Sequence, residues 1–212
     1  MMISEPATML TDYLLAVLLL VWGIRLWRAG QDERQRSMLL WAAGFFAAAG
    51  AAAVGGTFHG FRLYLDSTSA AALWKASTYL TGTASWAMLS AAFLATTSRS
   101  LRSYLLVFAA IKYVVFAIWM TNHTEFRFVI YDYAVSMACI LVSQIGEWCR
   151  RGSKSAPWIV GGILVATVAA GIQVGKVSPH PQFNHNDLFH VGQMIGFYLF
   201  YRGGRFLTDC RS

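Results

Sequence analysis

The sequence predicts an all-α protein: a polytopic bundle of seven transmembrane helices, N-terminus outside and C-terminus cytoplasmic, in one domain spanning residues 1–212. Three observations carry this. Of 212 residues, 57% are apolar and 13% are charged, against about 25% charged in soluble domains. Mean hydropathy is +0.49. The apolar residues fall into seven runs, roughly 8–27, 38–59, 70–96, 102–121, 127–147, 157–176 and 186–204, each close to the roughly 20 residues that cross a bilayer. Hydrocarbon leaves open backbone groups unsatisfied, so such runs must be helical.

The first run follows MMISEPATML, which has no Lys or Arg. A signal peptide opens on a basic segment, so this run is read as a retained span. The second, WAAGFFAAAGAAAVGGTFHG, carries small residues on every face and is expected at the centre of the bundle, where neighbours approach closely. The fourth and fifth runs are joined by TNHTEF and form a hairpin. The sixth and seventh carry GxxxG pairs, Gly171/Gly175 and Gly192/Gly196. These are expected to pack within the chain, with a homo-oligomer or partner subunit as the alternative.

Net charge is +7, yet the cations are explained by topology, and nucleic acid is not an expected partner. One set of span ends holds Arg25, Arg28, Arg34, Arg36, Arg99, Arg102, Arg150, Arg151, Lys154, Arg202, Arg205 and Arg211; the other holds Arg62, Lys75, Arg127 and Lys176. Cations mark cytoplasmic loops, which sets the orientation. The Ala-rich second span and a pI of about 9.6 point to a bacterial inner membrane. Cys139, Cys149 and Cys210 are odd in number and form no CxxC, so neither a disulfide framework nor a thiolate zinc site is indicated.

All five histidines fall at outer ends or in the outer third: His59, His123, His180, His185 and His190. His123 and His180 read as loop residues. By helical rise, His190 lies roughly 18 Å above Arg202, and Asp12 roughly 20 Å above Arg25. Asp132 lies roughly 27 Å above Arg150. Ionisable groups at such depth mark a site. Lys112, roughly 15 Å from Arg102, is expected to form a structural ion pair with Asp132, since a paired charge costs far less than a lone one. Asn184 followed by Asp187 fits an N-cap with an acid at N3.

Zinc is held by neutral imidazoles and, in catalytic sites, keeps one position for water. His59, rising on the second span, and His185 and His190, descending on the seventh, are the candidate ligands. Asp187, Asp132 and Asp12 are candidate carboxylates to move the water's proton. His185 and His190 are five apart, about 140° around a helix, and share a face only if His185 lies in an irregular start. Asn186 and His190, at i and i+4, share one outright.

With His59 closing the second span (GGTFHG) and FNHNDLFHVGQ opening the seventh, the chain resembles the alkaline ceramidase group. That group belongs to the CREST superfamily, with the progestin and adipoQ receptors and the hemolysin III proteins. The resemblance implies a seven-helix zinc hydrolase acting on a lipid amide or ester, with zinc held by a second-helix His and an HxxxH pair on the seventh. His59 and His190 carry over directly and His185 by adjustment. Gly55 stands where the group has a Ser, Asn186 stands at the first His of the pair, and the third span has Lys75 but no acid. Three alternatives stay open: a non-catalytic subunit or lipid-binding protein on the same scaffold, a b-type haem protein using His59 and His190, and transport through Lys112 and Asp132.

Overall fold

The computed structural model describes residues 3–180 and 183–210; Arg211, counted above with the cytoplasmic cations, lies outside the described residues. Its helices are α1 (Pro6–Asp32), α2 (Arg36–Phe61), α3 (Ser67–Thr96), α4 (Arg99–Asn122), α5 (Phe126–Arg151), α6 (Ala156–Val174) and α7 (His185–Gly204), with a single 3-10 turn, Arg62–Tyr64, after α2. One helix lies under each predicted apolar run. Five elements, α1, α2 with its 3-10 turn, α4, α5 and α6, are long and apolar enough to cross a membrane; α3 and α7 fall outside that set.

Local chemistry sets the boundaries. Pro6 opens α1, where its missing N–H costs nothing. Asp66 caps α3, accepting from the backbone N–H groups of Thr68 and Ser69, both at 2.9 Å. These bonds, with Ser69 contributing most, hold the Asp66 carboxyl below its ordinary value of 3.8. Gly152 ends α5 at φ +63°, a left-handed position where glycine carries no Cβ penalty. Asn184 and Asp187 form a capping box at the start of α7.

The short connections make neighbouring helices antiparallel. The starts of α1, α3, α5 and α7 therefore meet the finishes of α2, α4 and α6 at one end of the bundle. α2 packs along both α1 and α3, and α7 packs on α6 and α1. α2 earns its central place by having little side chain. A Cβ added at Gly44 would lie 2.6 Å from Met88 Cγ, and one at Gly56 2.9 Å from Asp12 Cβ.

On α7, Gly192 and Gly196 face α6. A Cβ at Gly192 would sit 2.6 Å from Ala169 Cβ, and Gly196 O lies 3.0 Å from the Cβ position of Gly162. Toward the opposite end the core fills with Trp41, Phe45, Phe197 and Phe200 in edge-to-face contacts, and Trp41 Nε1 donates to Phe200 O at 3.0 Å. The C-terminal tail closes that end: Asp209 accepts from Arg36 N and Ser37 N, and Cys210 N donates to Leu94 O.

Candidate functional site

Six helices, all but α4, surround a cavity of about 470 Å³. Its deeper wall is apolar, from Leu15, Leu19, Met137, Leu141, Ile163 and Phe197. Its polar groups gather near the end where α2 finishes and α7 starts. By helical rise from the nearest helix end, Asn186, Gln173 and His59 lie within roughly 3 Å of it. Asp12, His190, Tyr133 and Gln193 lie roughly 7–12 Å in. Ala134 and Ala138 line the cavity from α5 and are exposed, so the cavity opens sideways through the bundle wall.

Asp12 and His190 form its centre. His190 Nε2 lies 3.2 Å from Asp12 Oδ1, and Nδ1 lies 2.9 Å from Thr11 Oγ1. Thr11 Oγ1 already donates to the backbone, at 3.0 Å from Thr8 O and 3.1 Å from Ala7 O, so Nδ1–H donates to it, while the Nε2–Oδ1 approach is a close contact not aligned as a hydrogen bond. α1 supplies both partners from one turn. The spacing 8, 12, 15, 19 puts Thr8, Asp12, Leu15 and Leu19 on one face of α1, with Thr11 at its edge. Asp12 Oδ2 points toward α2 and α3: it is 3.5 Å from the Cβ position of Gly55, while Ser77 Oγ is 3.6 Å from the same position.

Asp187 is buried behind this pair. It accepts from Thr8 Oγ1 at 2.9 Å and from Asn184 N at 2.7 Å, so its two oxygens tie α7 to α1 and cap α7. It is not a lining residue. His59 lines the mouth, its Nδ1 3.2 Å from Glu5 Oε2 but not aligned for a hydrogen bond. His185 opens α7 and turns toward Ser178, with Nδ1 3.5 Å from its hydroxyl, away from the cavity.

Lys112 and Asp132 meet elsewhere, in the α3–α4–α5 interface. The ammonium pairs with the Asp132 carboxylate, reaches Asp132 O at 3.2 Å and Ser85 Oγ at 3.3 Å, and Ser85 bonds Ser136 at 2.8 Å. Neither charged residue lines the cavity. Of the sequence candidates, the structure thus gathers Asp12, His59 and His190 around one cavity. It places Asp187 behind them, His185 outside, and Asp132 with Lys112.

Zinc needs three or four donors at about 2.0–2.3 Å. Among the described residues, no group of three or more His, Cys, Asp or Glu side chains is arranged to hold a metal ion. Both ring nitrogens of His190 are engaged by protein partners, and His185 faces another way. The residues as arranged do not fit a bound zinc.

Several lining groups escape sequence reasoning because nothing local marks them. Tyr133 Oη and Gln173 Oε1 are buried with no hydrogen-bond partner among the described residues, although Gln173 Nε2 donates to Asn186 Oδ1 at 2.8 Å. Gln193, 8% exposed, makes no hydrogen bond among the described residues. One signal was available: Asn186, His190 and Gln193 lie at i, i+4 and i+7, a polar stripe on an otherwise apolar helix.

Fold and site together define a helical bundle with membrane-compatible helices and an internal, laterally open cavity that is polar at one end. The chain belongs to DUF6962, a family of unknown function, whose model matches residues 7–209. No curated protein and no solved structure matches it.

Proposed function

We propose that this protein is a multi-pass membrane protein that binds an amphiphilic lipid inside its bundle, polar group against Asp12 and His190 and chain along the apolar wall. The observation that carries the reading is the cavity itself. Its walls are apolar at depth, its polar end keeps buried groups without partners, and it opens at Ala134 and Ala138 on a flank where lipid would lie. Buried polar atoms are normally paired, and a ligand with donors and acceptors at one end would pair these.

The chain crosses the membrane seven times in this reading, with α3 and α7 shielded by the other five. Its polar end faces outside, and it sits in a bacterial inner membrane. The distribution of Lys and Arg supports that orientation. Native mass spectrometry after mild detergent extraction tests the binding. The protein should carry about one lipid-sized adduct, and Ala138→Trp, which narrows the opening, should remove most of it. Adduct-free protein from several mild detergents would contradict the reading.

A second reading, favoured by the Thr11–His190–Asp12 chain, is hydrolysis of an amide or ester bond in that lipid. A ring with a hydroxyl on one side and a carboxylate on the other can pass a proton between them. Asp12 is then the base toward a water in the cavity, and His190 and Thr11 fix its orientation. Thr11 does not line the cavity, so it is a positioning residue and not the nucleophile. The resemblance to alkaline ceramidases supplies the bond type; its zinc dependence is not carried over, because the candidate donors do not converge on one ion among the described residues. Turnover of an N-acyl lipid, lost in His190→Ala, would favour the hydrolase; lipid binding without turnover would favour the binding protein.

A further inference from the structure

We infer that the cavity selects a cationic amphiphile, a single long chain ending in an amine, over anionic or uncharged lipids. The inference rests on the reading that the cavity holds an amphiphile, and it names the headgroup. Among the described residues no Lys or Arg lines the cavity, and apart from the histidines the one formally charged lining side chain is Asp12. Of the four cations at that end, Lys75 donates to Thr121 O, Arg127 pairs with Glu125 and Arg62 stacks over Phe58, while Lys176 is exposed after α6 and does not line the cavity. Glu5 adds a second carboxylate beside His59 at the mouth. A phosphate or carboxylate headgroup would therefore enter a low-dielectric space against Asp12 with no cation to meet it, which is costly.

The unpaired groups favour the same sign. With His190 Nε2 3.2 Å from Oδ1, Asp12 Oδ2 lies toward the lining residue Gly55, and Gln173 Oε1 adds an orphaned acceptor. The buried Tyr133 Oη can accept as well, as can the amide of Gln193, a residue 8% exposed. An ammonium brings donors and no acceptor, the complement of this set. Around the mouth, Trp74, Phe126 and Phe189 line the cavity in a chain of ring contacts, with centroids 6.0 and 6.5 Å apart. Aromatic faces attract ammonium groups and their alkylated forms.

The test is binding of four ligands of one chain length to full-length protein in uncharged detergent: hexadecylamine, hexadecyltrimethylammonium, hexadecanol and palmitate. The amine should bind at least about tenfold more tightly than hexadecanol, and palmitate most weakly. Asp12→Asn should remove the preference for the amine over hexadecanol, and Asp12→Glu should restore much of it. Should Asp12→Asn not fold, the wild-type ranking alone decides. Preference for hexadecyltrimethylammonium over hexadecanol, without preference for the primary amine, would mean that the aromatic rings dominate and would overturn the role given to Asp12. Palmitate or hexadecanol binding as tightly as the amine overturns the inference but leaves the amphiphile reading standing. Binding of none of the four to folded protein overturns both.

Discussion

Two buried centres in this bundle each contain a carboxylate and a nitrogen base, and they are built differently. Lys112–Asp132 joins α4 to α5 and is ringed by Ser85, Ser136 and backbone, away from the cavity. Asp12–His190 joins α1 to α7 on the wall of the cavity, with polar neighbours that lack partners. The first arrangement pairs opposite charges across helices, although Asp132 Oδ2 stays buried without a hydrogen-bond partner among the described residues, enclosed by protein. The second has its unpaired groups on the wall of a cavity. Burial of charge alone does not separate a structural pair from a site; what the remaining lone pairs face does.

The comparison can be broken most readily at Lys112. Lys112→Met strands the Asp132 carboxylate, 5% exposed at its side chain. Losing one partner of a buried pair costs about 3–5 kcal/mol. The Lys112→Met/Asp132→Leu double variant should recover most of it, as read by unfolding in detergent. Equal stability of the single variant and wild type would show that the pair holds nothing.

A smaller loss is expected where α6 and α7 touch. Gly162→Ala puts a Cβ 2.5 Å from the Phe200 ring and 3.0 Å from Gly196 O, and overpacking of this kind costs about 1–3 kcal/mol. Because α7 carries His190, lipid binding should weaken in parallel. Gly171→Ala, with nothing within 4 Å of its Cβ position, is the control and should change neither.

Asp12→Asn sharpens the contrast from the other side. Asn keeps the side chain's shape and its approach to His190 Nε2, so stability should change by less than about 1 kcal/mol while ligand preference changes. A loss as large as that of Lys112→Met would make Asp12–His190 a structural pair like the other.

The smallest effect lies in the connection between α2 and α3. The Ser69 and Thr68 backbone N–H groups and the Ser69 hydroxyl hold the Asp66 carboxyl below 3.8. A depressed carboxyl stabilises above its unfolded value, and that contribution disappears as pH falls through the folded one. Asp66→Ala should therefore destabilise slightly at neutral pH and match wild type in strong acid, checked by thermal melts across pH.

The helices were legible in the sequence because long apolar runs have few alternatives. α7 starts at His185 against a reading of 186, and α3 at Ser67 against 70. Less of the site was legible. His59, His190 and Asp12 stood out as polar groups in apolar runs, but their partners did not. Thr8 and Thr11 sit 179 positions from the α7 residues they bond, and no local pattern reports a pairing between first and last helices. His185 shows the limit of spacing. Its place in a His-rich segment suggested a ligand, while the helix phase that begins there turns its ring to Ser178.

The most direct measurement is photolabelling with a long-chain amine carrying a diazirine partway along its chain, followed by peptide mapping. Labels should concentrate on the cavity faces of α5 and α7, around Met137, Leu141 and Phe197, and be displaced by unlabelled amine. Labelling spread over the outward residues of α4, such as Val107, Ile111 and Val115, with no displaceable fraction on α5 or α7, would mean that lipid only coats the bundle and that the cavity binds none.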